Sequence, residues 1–311
     1  MLRYAARRML EVIPTTIGIL LLTFLLFNVV GGSPAEVILG KSATAESIAA
    51  FNHKWGYDKP LVFSADSQFC RFVCDFCKGD LGYSIENQEP VAAVLKRGVG
   101  PSLSLTVPIL IGGVIVGLMF AMLSAAFRGR LVDKAVLLAS TILMSVNYVV
   151  WVLAGQFFLS YRAGLFPVWG FEGVFYLALP VLIGILSSIG TDVRFFRTTI
   201  LDELYRPYVL TARAKGLHGA TIMMRHVLRN ALIPIVTYVS LSIPGLFTGS
   251  LLLESFFGIP GLGSVSINAI HSADMAVVRS VVVIGALLYQ FVNLLTDMLY
   301  AALDPRVRLV V

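Results

Sequence analysis

The sequence is poor in charge. Of its 311 residues, 14% are Asp, Glu, Lys or Arg, against about 25% in an ordinary soluble domain. The few charges gather between long uncharged runs, which excludes an ordinary water-soluble fold. Nucleotide chemistry is missing too. The nearest approach to the phosphate loop G-x-x-x-x-G-K-[ST] is Gly40-Lys41-Ser42, and the required first glycine is replaced by Ala35. If this chain works with ATP, another chain must hydrolyse it. Neither H-E-x-x-H nor G-x-S-x-G occurs, so nothing points to protease or hydrolase chemistry, and no catalytic residue is assigned.

Cysteine is nearly absent. The three, Cys70, Cys74 and Cys77, are spaced C-x3-C-x2-C. On a helix they share one face. Three thiols fall short of a structural zinc or iron–sulfur set unless a partner adds a ligand, so no metal site is expected. One disulfide with a spare thiol in an oxidising outer compartment, or three buried small hydrophobes, are the readings left. The net charge of +6 does not imply nucleic acid, because the basic residues flank apolar segments and orient them in a bilayer.

What is abundant is apolar length: 57% of the chain is hydrophobic. A helix rising 1.5 Å per residue needs roughly 20 apolar residues to cross a core of about 30 Å. Six runs qualify: Val12–Val30, a run within Gly98–Phe127, Ala135–Ser160, Gly173–Thr191, Ala231–Leu253 and Ser280–Leu303. Each is expected to be helical, since lone strands leave their backbone unpaired in lipid. The first, preceded by Arg3, Arg7 and Arg8, is too long for a signal core and has no clear cleavage pattern. The expected fold is all-α, with about six transmembrane helices and a small outer segment between the first and second.

Six spans put both termini on one side. If that side is cytoplasmic, the inner segments hold 15 of the 24 basic residues and the outer ones 11 of the 18 acidic residues. Short arginine-rich inner connections favour this orientation. The chain then divides into residues 1–30 (terminus and first span), an outer segment 31–97, and a core 98–311 containing an inner segment 192–230.

The inner segment carries apolar residues at helical spacing, then the small residues Ala212, Ala214 and Gly216. Small side chains allow close backbone approach. Gly216 and Gly219 can end one helix and begin another at an angle. Ala220–Arg225 is then a short exposed helix, with Met223 and Met224 as an adaptable contact surface for a partner's groove. The plainer alternative is an amphipathic connector lying on lipid.

Between the fifth and sixth runs, Pro260 among Gly258, Gly261 and Gly263 forces a turn. It is either a plain hairpin or a gate or docking surface. In the last run Asn293, Asp297, Tyr300 and Asp304 share one helix face, and Asp297 is expected to pair or reach the interface. The uncharged second to fifth spans argue against an ion-coupled carrier, which places ionisable groups mid-membrane.

Tyr208, Val209, Thr211, Ala212, Arg213, Ala214, Lys215, Gly216 and Leu217, followed by Arg225, His226, Leu228, Arg229, Asn230, Ala231 and Pro234, form a long fixed-spacing match. The match resembles the inner loop of permease subunits in ATP-binding-cassette importers, within the dipeptide/oligopeptide/nickel family. Gly79–Ser84, the run Glu254–Gly263 and Asp304-Pro305-Arg306 also resemble that family, in the first of its two permease types. Asn147 stands where the family commonly has a proline.

The resemblance implies a type I importer permease-like fold in a bacterial inner membrane, with both termini cytoplasmic. It implies a second homologous permease, two ATPase subunits carrying ATP and Mg, and an extracytoplasmic solute-binding protein. The substrate class is di- or oligopeptides, with nickel complexes or other small peptide-like solutes as the alternative. Thr211 to Leu217, Ala220, Met223, Met224, Arg225 and His226 would couple to the ATPase. Phe257, Pro260, Gly261 and Gly263 would form an outer gate or binding-protein contact. Asp297, Asp304 and Arg306 would secure the last helix end.

Overall fold

A computed structural model of the chain describes residues 2–30, 44–55, 58–61, 67–248, 250–272 and 274–303. Helix α1 (Leu2–Leu25) widens into a π-helical turn at Leu26–Val30. The outer segment contributes α2 (Ala45–Trp55), α3 (Gln68–Cys77) and a hairpin of β1 (Tyr83–Ser84) and β2 (Glu89–Pro90), antiparallel with Tyr83 opposite Pro90. Then follow α4 (Val91–Ala126), α5 (Leu131–Ser145), α6 (Tyr148–Gly155) with a π-helical extension Gln156–Arg162, α7 (Val174–Leu204) and α8 (Pro207–Ala214). The chain re-enters helix at Gly219–Thr221 and passes a π-helical turn at Ile222–Val227. It continues as α9 (Leu228–Thr248), α10 (Leu251–Phe257), α11 (Leu262–His271) and α12 (Met275–Leu303).

Five stretches are long and apolar enough to cross a bilayer unbroken: Glu11–Asn28, Val91–Ala126, Val174–Leu204, Gly219–Ile243 and Met275–Thr296. Two pairs are bent, α5–α6 by 90° and α10–α11 by 84°. Their roles follow from helix directions. Ile109 meets Gly184, Gly113 meets Ser188 and Gly117 meets Phe196, so α4 and α7 run parallel. Helix α9 opposes both: Val227 and Ala231 cluster with Ala125 and Phe196, while Leu253, just past its far end, packs with Leu105 and Leu179.

Val91 and Val277, at the starts of α4 and α12, share one cluster. So α9 ends where α12 begins, and α10–α11 enters and leaves at one face as a re-entrant loop. The α5–α6 pair leaves the end of α4 and delivers the start of α7 at the opposite face, so it is a broken span. Phe24 packs on Phe72, which lies under Arg279, and the Thr16 hydroxyl donates to Gln290 Oε1 at 3.1 Å. Helix α1 is therefore antiparallel to α12, so the start of α1 and the end of α12 lie toward the same face.

Six crossings result, and four details of the expected spans are corrected. Ala135–Ser160 is not one helix. Val146 is extended, and Asn147 Oδ1 accepts the Val149 N–H at 2.9 Å, capping α6 and fixing the corner. The second helix begins at Val91, ahead of the uncharged run, and its 36 residues make about 54 Å, well beyond a bilayer core. The fourth continues past Thr191 to Leu204 and so takes in Asp192, Arg194 and Arg197. The fifth is entered continuously from Gly219, so Ala220–Arg225 is not a separate short helix.

Parallel α4 and α7 approach closely because glycine lines the seam. A Cβ on Gly113 would sit 2.7 Å from Ser188 Oγ, and one on Gly117 would sit 3.0 Å from Asp192 Cβ. Small residues let helices pack without a hydrophobic drive between them in lipid. In the outer segment, α3 lays Phe69 and Phe72 against Phe24. Cys74 and Cys77 are exposed and Cys70 is half-buried, all three as free thiols. The exposure of Cys74 and Cys77 corrects the buried-hydrophobe reading. Among the described residues no group of His, Cys, Asp and Glu could hold a metal ion.

Candidate functional site

The basic face is built on α8 and the turn after it. Pro207 occupies the first turn of α8, where its missing N–H costs nothing. Val209 and Ala212 point inward, into a cluster with Ala121, Phe196, Ile200, Ile222, Val227 and Ala231. The helix stops at Gly216, φ +75°, whose N–H donates to Arg213 O at 2.9 Å. His218 Nδ1 accepts the Ala220 N–H at 3.3 Å and caps the next helix. Nothing lies within 4 Å of a Cβ placed on Gly216. Its requirement is the left-handed backbone, not close approach. Of the three small residues, only Ala212 packs inward; Ala214 and Gly216 are exposed.

The remaining residues read as coupling positions divide cleanly. Thr211, Arg213, Lys215, Leu217, Ala220, Met224 and Arg225 are exposed, while Met223 and His226 are half-buried. Met224 is 57% exposed. The outward face therefore mixes cations with apolar side chains, while the inward face is locked to the spans.

Between α4, α7 and α9 lies a cavity of about 440 Å³, within the size range of small-ligand sites. Hydroxyls dominate its polar lining, among them Thr106, Ser187, Ser188, Tyr238 and Ser242. One carboxyl group, Asp192, is also there. It is 8% exposed and its Oδ1 accepts the Tyr238 hydroxyl at 2.9 Å. Phe195 stacks on the Tyr238 ring at 4.4 Å and Phe196 meets it edge-on, so the phenol is held in place. The run expected as the fourth span, Gly173–Thr191, is itself uncharged, but the helix continues past it. Asp192 stands inside the spanning helix α7, one residue past the end of the expected fourth span.

Three further buried acids organise the faces. Asp133 makes a two-pronged pair with Arg197, 2.9 Å to both Nε and Nη2, and accepts from Ser124 Oγ at 2.5 Å and the Gly129 N–H at 2.8 Å. It ties α5 to α4 and α7. Asp274, before α12, accepts from Ser84 Oγ at 2.6 Å and the Ile85 N–H at 2.9 Å. The Gly79–Ser84 motif thus anchors the hairpin to the last helix.

At the outer face, the Glu254–Gly263 motif folds around its own glutamate. Glu254 is 0% exposed. Its Oε1 accepts from Ser102 Oγ at 2.8 Å and the Ser250 N–H at 3.1 Å; its Oε2 accepts the N–H groups of Gly263 at 2.6 Å and Ser264 at 3.1 Å. Ser102 Oγ also accepts the Leu262 N–H at 2.7 Å. A Cβ on Gly261 would collide with this carboxylate, so glycine there is a requirement of space. The structure places Phe257, Gly261 and Gly263 inside this clasp and leaves Pro260 exposed. The turn itself is made by Gly258, φ +67°. Asp297 lies on the helical backbone of α12; its side chain, and Asp304 and Arg306 entirely, fall outside the described residues.

Glu254 was legible only as a motif letter, because Ser102, its distant partner, is 152 positions away in the chain. Asp133 and Arg197 gave no sequence signal beyond belonging to a basic inner face.

Residues 102–309 match the family described as binding-protein-dependent transport system inner membrane component, and residues 1–106 match its N-terminal companion. The chain is 33% identical over 309 residues to the glutathione transport system permease protein GsiC of Salmonella paratyphi A, and 34% identical to that of Pectobacterium atrosepticum. Each comparison covers 99% of both chains. In fold it is similar to a chain of the inward-facing MetNI methionine ABC transporter, with a TM-score of 0.56 at 19% identity, covering 68% of this chain and 97% of the other. A chain of an amino acid ABC transporter with histidines gives 0.55 at 15% identity, covering 68% and 94%.

Proposed function

We propose, because the chain belongs to the family of binding-protein-dependent transport system inner membrane components, that it is the first-type permease of an importer of small peptides. Membership makes it a multi-pass inner-membrane subunit of an ABC importer. It is non-catalytic, and ATP is hydrolysed by a separate subunit. The finer reading is ours. The relatives' names make glutathione the first substrate to test, with dipeptides and longer peptides next. Both termini lie in the cytoplasm, where the exposed face of Thr211–His226 meets one of two ATPases holding ATP and Mg. A second homologous permease completes the pathway, and a solute-binding protein delivers the substrate at the outer face.

One observation carries this reading. Val209, Ala212, Ile222 and Val227, from the basic segment, share a single buried cluster with Ala121 and Phe196 of the cavity-forming helices. Close-packed interiors transmit displacement instead of absorbing it. An ATPase that moves the exposed face of this segment therefore moves α4, α7 and α9 with it. Alternating access then needs only that ATP binding favour one of two arrangements.

The test is uptake into proteoliposomes holding the complete importer, loaded with ATP and supplied with the binding protein. Labelled glutathione and a panel of di- and tripeptides should accumulate only with both ATP and binding protein present. A complex that hydrolyses ATP but accumulates none of them contradicts the peptide reading.

A further inference from the structure

We infer that Asp192 is a recognition site inside the permease for a ligand's ammonium group, the free amine of a peptide in passage. The inference rests on the peptide reading above and deepens it. An ionisable side chain within a spanning helix is expensive and functional by default. Asp133 and Glu254, equally buried, are accounted for: one holds an arginine and the other closes a loop on backbone N–H groups. Asp192 does neither.

Across the cavity the Tyr238 hydroxyl donates to it, and among the described residues no Lys, Arg or His lines the cavity. A buried carboxylate without a cation is costly. Within the described lining of this chain nothing supplies that cation, and an ammonium that enters would. The surroundings suit an ammonium. Gly113, facing Asp192 Oδ2 and Ser188 Oγ, leaves room beside the carboxylate that any side chain would fill. Ser188 Oγ, beside Asp192 Oδ2 at Gly113, supplies an acceptor for a further N–H bond, and Tyr148 and Ser250, which meet at 3.5 Å farther along the lining, supply donors for a peptide carbonyl. Phe195 and Phe196 keep Tyr238 oriented, so Asp192 is held for its ligand before the ligand arrives. Among the described lining residues the charged group is an acid, which favours a peptide's amino end over its carboxylate.

The experiment measures equilibrium binding of glutathione and of N-acetyl-glutathione to the assembled permease–ATPase complex without binding protein, so that receptor selectivity does not enter. A charge-assisted hydrogen bond in a buried site predicts about a tenfold or larger preference for the free amine. Asp192→Asn, which keeps an acceptor for Tyr238, should abolish that preference. Tyr238→Phe, which frees Oδ1, should retain it. Equal wild-type affinity for the two ligands, or no binding of either, overturns the inference without any variant. So does an Asp192→Asn complex that keeps the preference or loses both ligands equally, or sodium displacing glutathione when choline does not. Each of these leaves ATP-driven glutathione uptake as the separate measure of the peptide reading.

Discussion

Replacing Glu254 with glutamine is expected to be nearly as damaging as replacing it with alanine. All four groups that reach its carboxylate are donors: Ser102 Oγ–H and the N–H groups of Ser250, Gly263 and Ser264. Glutamine offers one acceptor oxygen, and its amide nitrogen must then face donors. Alanine leaves all four unmet. Each unsatisfied buried donor costs about 1–3 kcal/mol, so glutamine, which strands two, should lose about 2–6 kcal/mol and alanine at least about 4. The apparent melting temperature of the detergent-solubilised complex should fall by about 10 °C. Limited proteolysis should open the chain between Gly258 and Gly263. Glu254→Asp should be intermediate, keeping two acceptor oxygens on a shorter reach. If Glu254→Gln melts like the wild type, the clasp does not hold the outer turn as described.

The second large effect belongs to the basic face. Asp133→Ala should destabilise by up to about 3 kcal/mol, because it strands the partly buried Arg197 guanidinium. Arg197 Nε also donates to Ser124 Oγ at 2.9 Å, which is too little to solvate a guanidinium. Replacing both partners, with Asp133→Leu and Arg197→Met together, should recover most of that loss, since an apolar pair leaves no uncompensated charge. Thermal denaturation of the three variants decides it. A double variant as unstable as Asp133→Ala would mean that the pair does more than neutralise itself.

Much of the architecture was legible because hydrocarbon demands length. Val12–Val30 and Ser280–Leu303 correspond to crossings of α1 and α12, and arginine placement marked one face. Helix ends were not legible. Composition records where water begins, whereas α4 and α7 run on as helix past that point, carrying Lys96 and Arg97 at one end and Arg194 and Arg197 at the other. The corner at Asn147 was hidden because a cap changes backbone direction without changing hydropathy.

The exposure of the basic segment was readable from its motif, down to Met224 on its outward face; its role as a contact surface is our proposal. The clasp and the cavity were not, because both are made by contacts between distant parts of the chain. Ser102 meets Glu254, and Tyr238 meets Asp192, only after α4, α7 and α9 have packed. Asp192 in particular reads as the first residue of a polar connection until the helix around it is seen to continue.

The most direct measurement concerns Met224. Its side chain is 57% exposed, so Met224→Asp should alter stability by no more than about 0.5 kcal/mol. An acidic group at the centre of a docking face should nevertheless be severe, lowering affinity about tenfold or more. The permease carrying Met224→Asp should insert and melt as the wild type does, yet fail to retain the ATPase through purification and lose ATP-driven peptide uptake. A variant that keeps its ATPase and transports at the wild-type rate would contradict the coupling role of Thr211–His226.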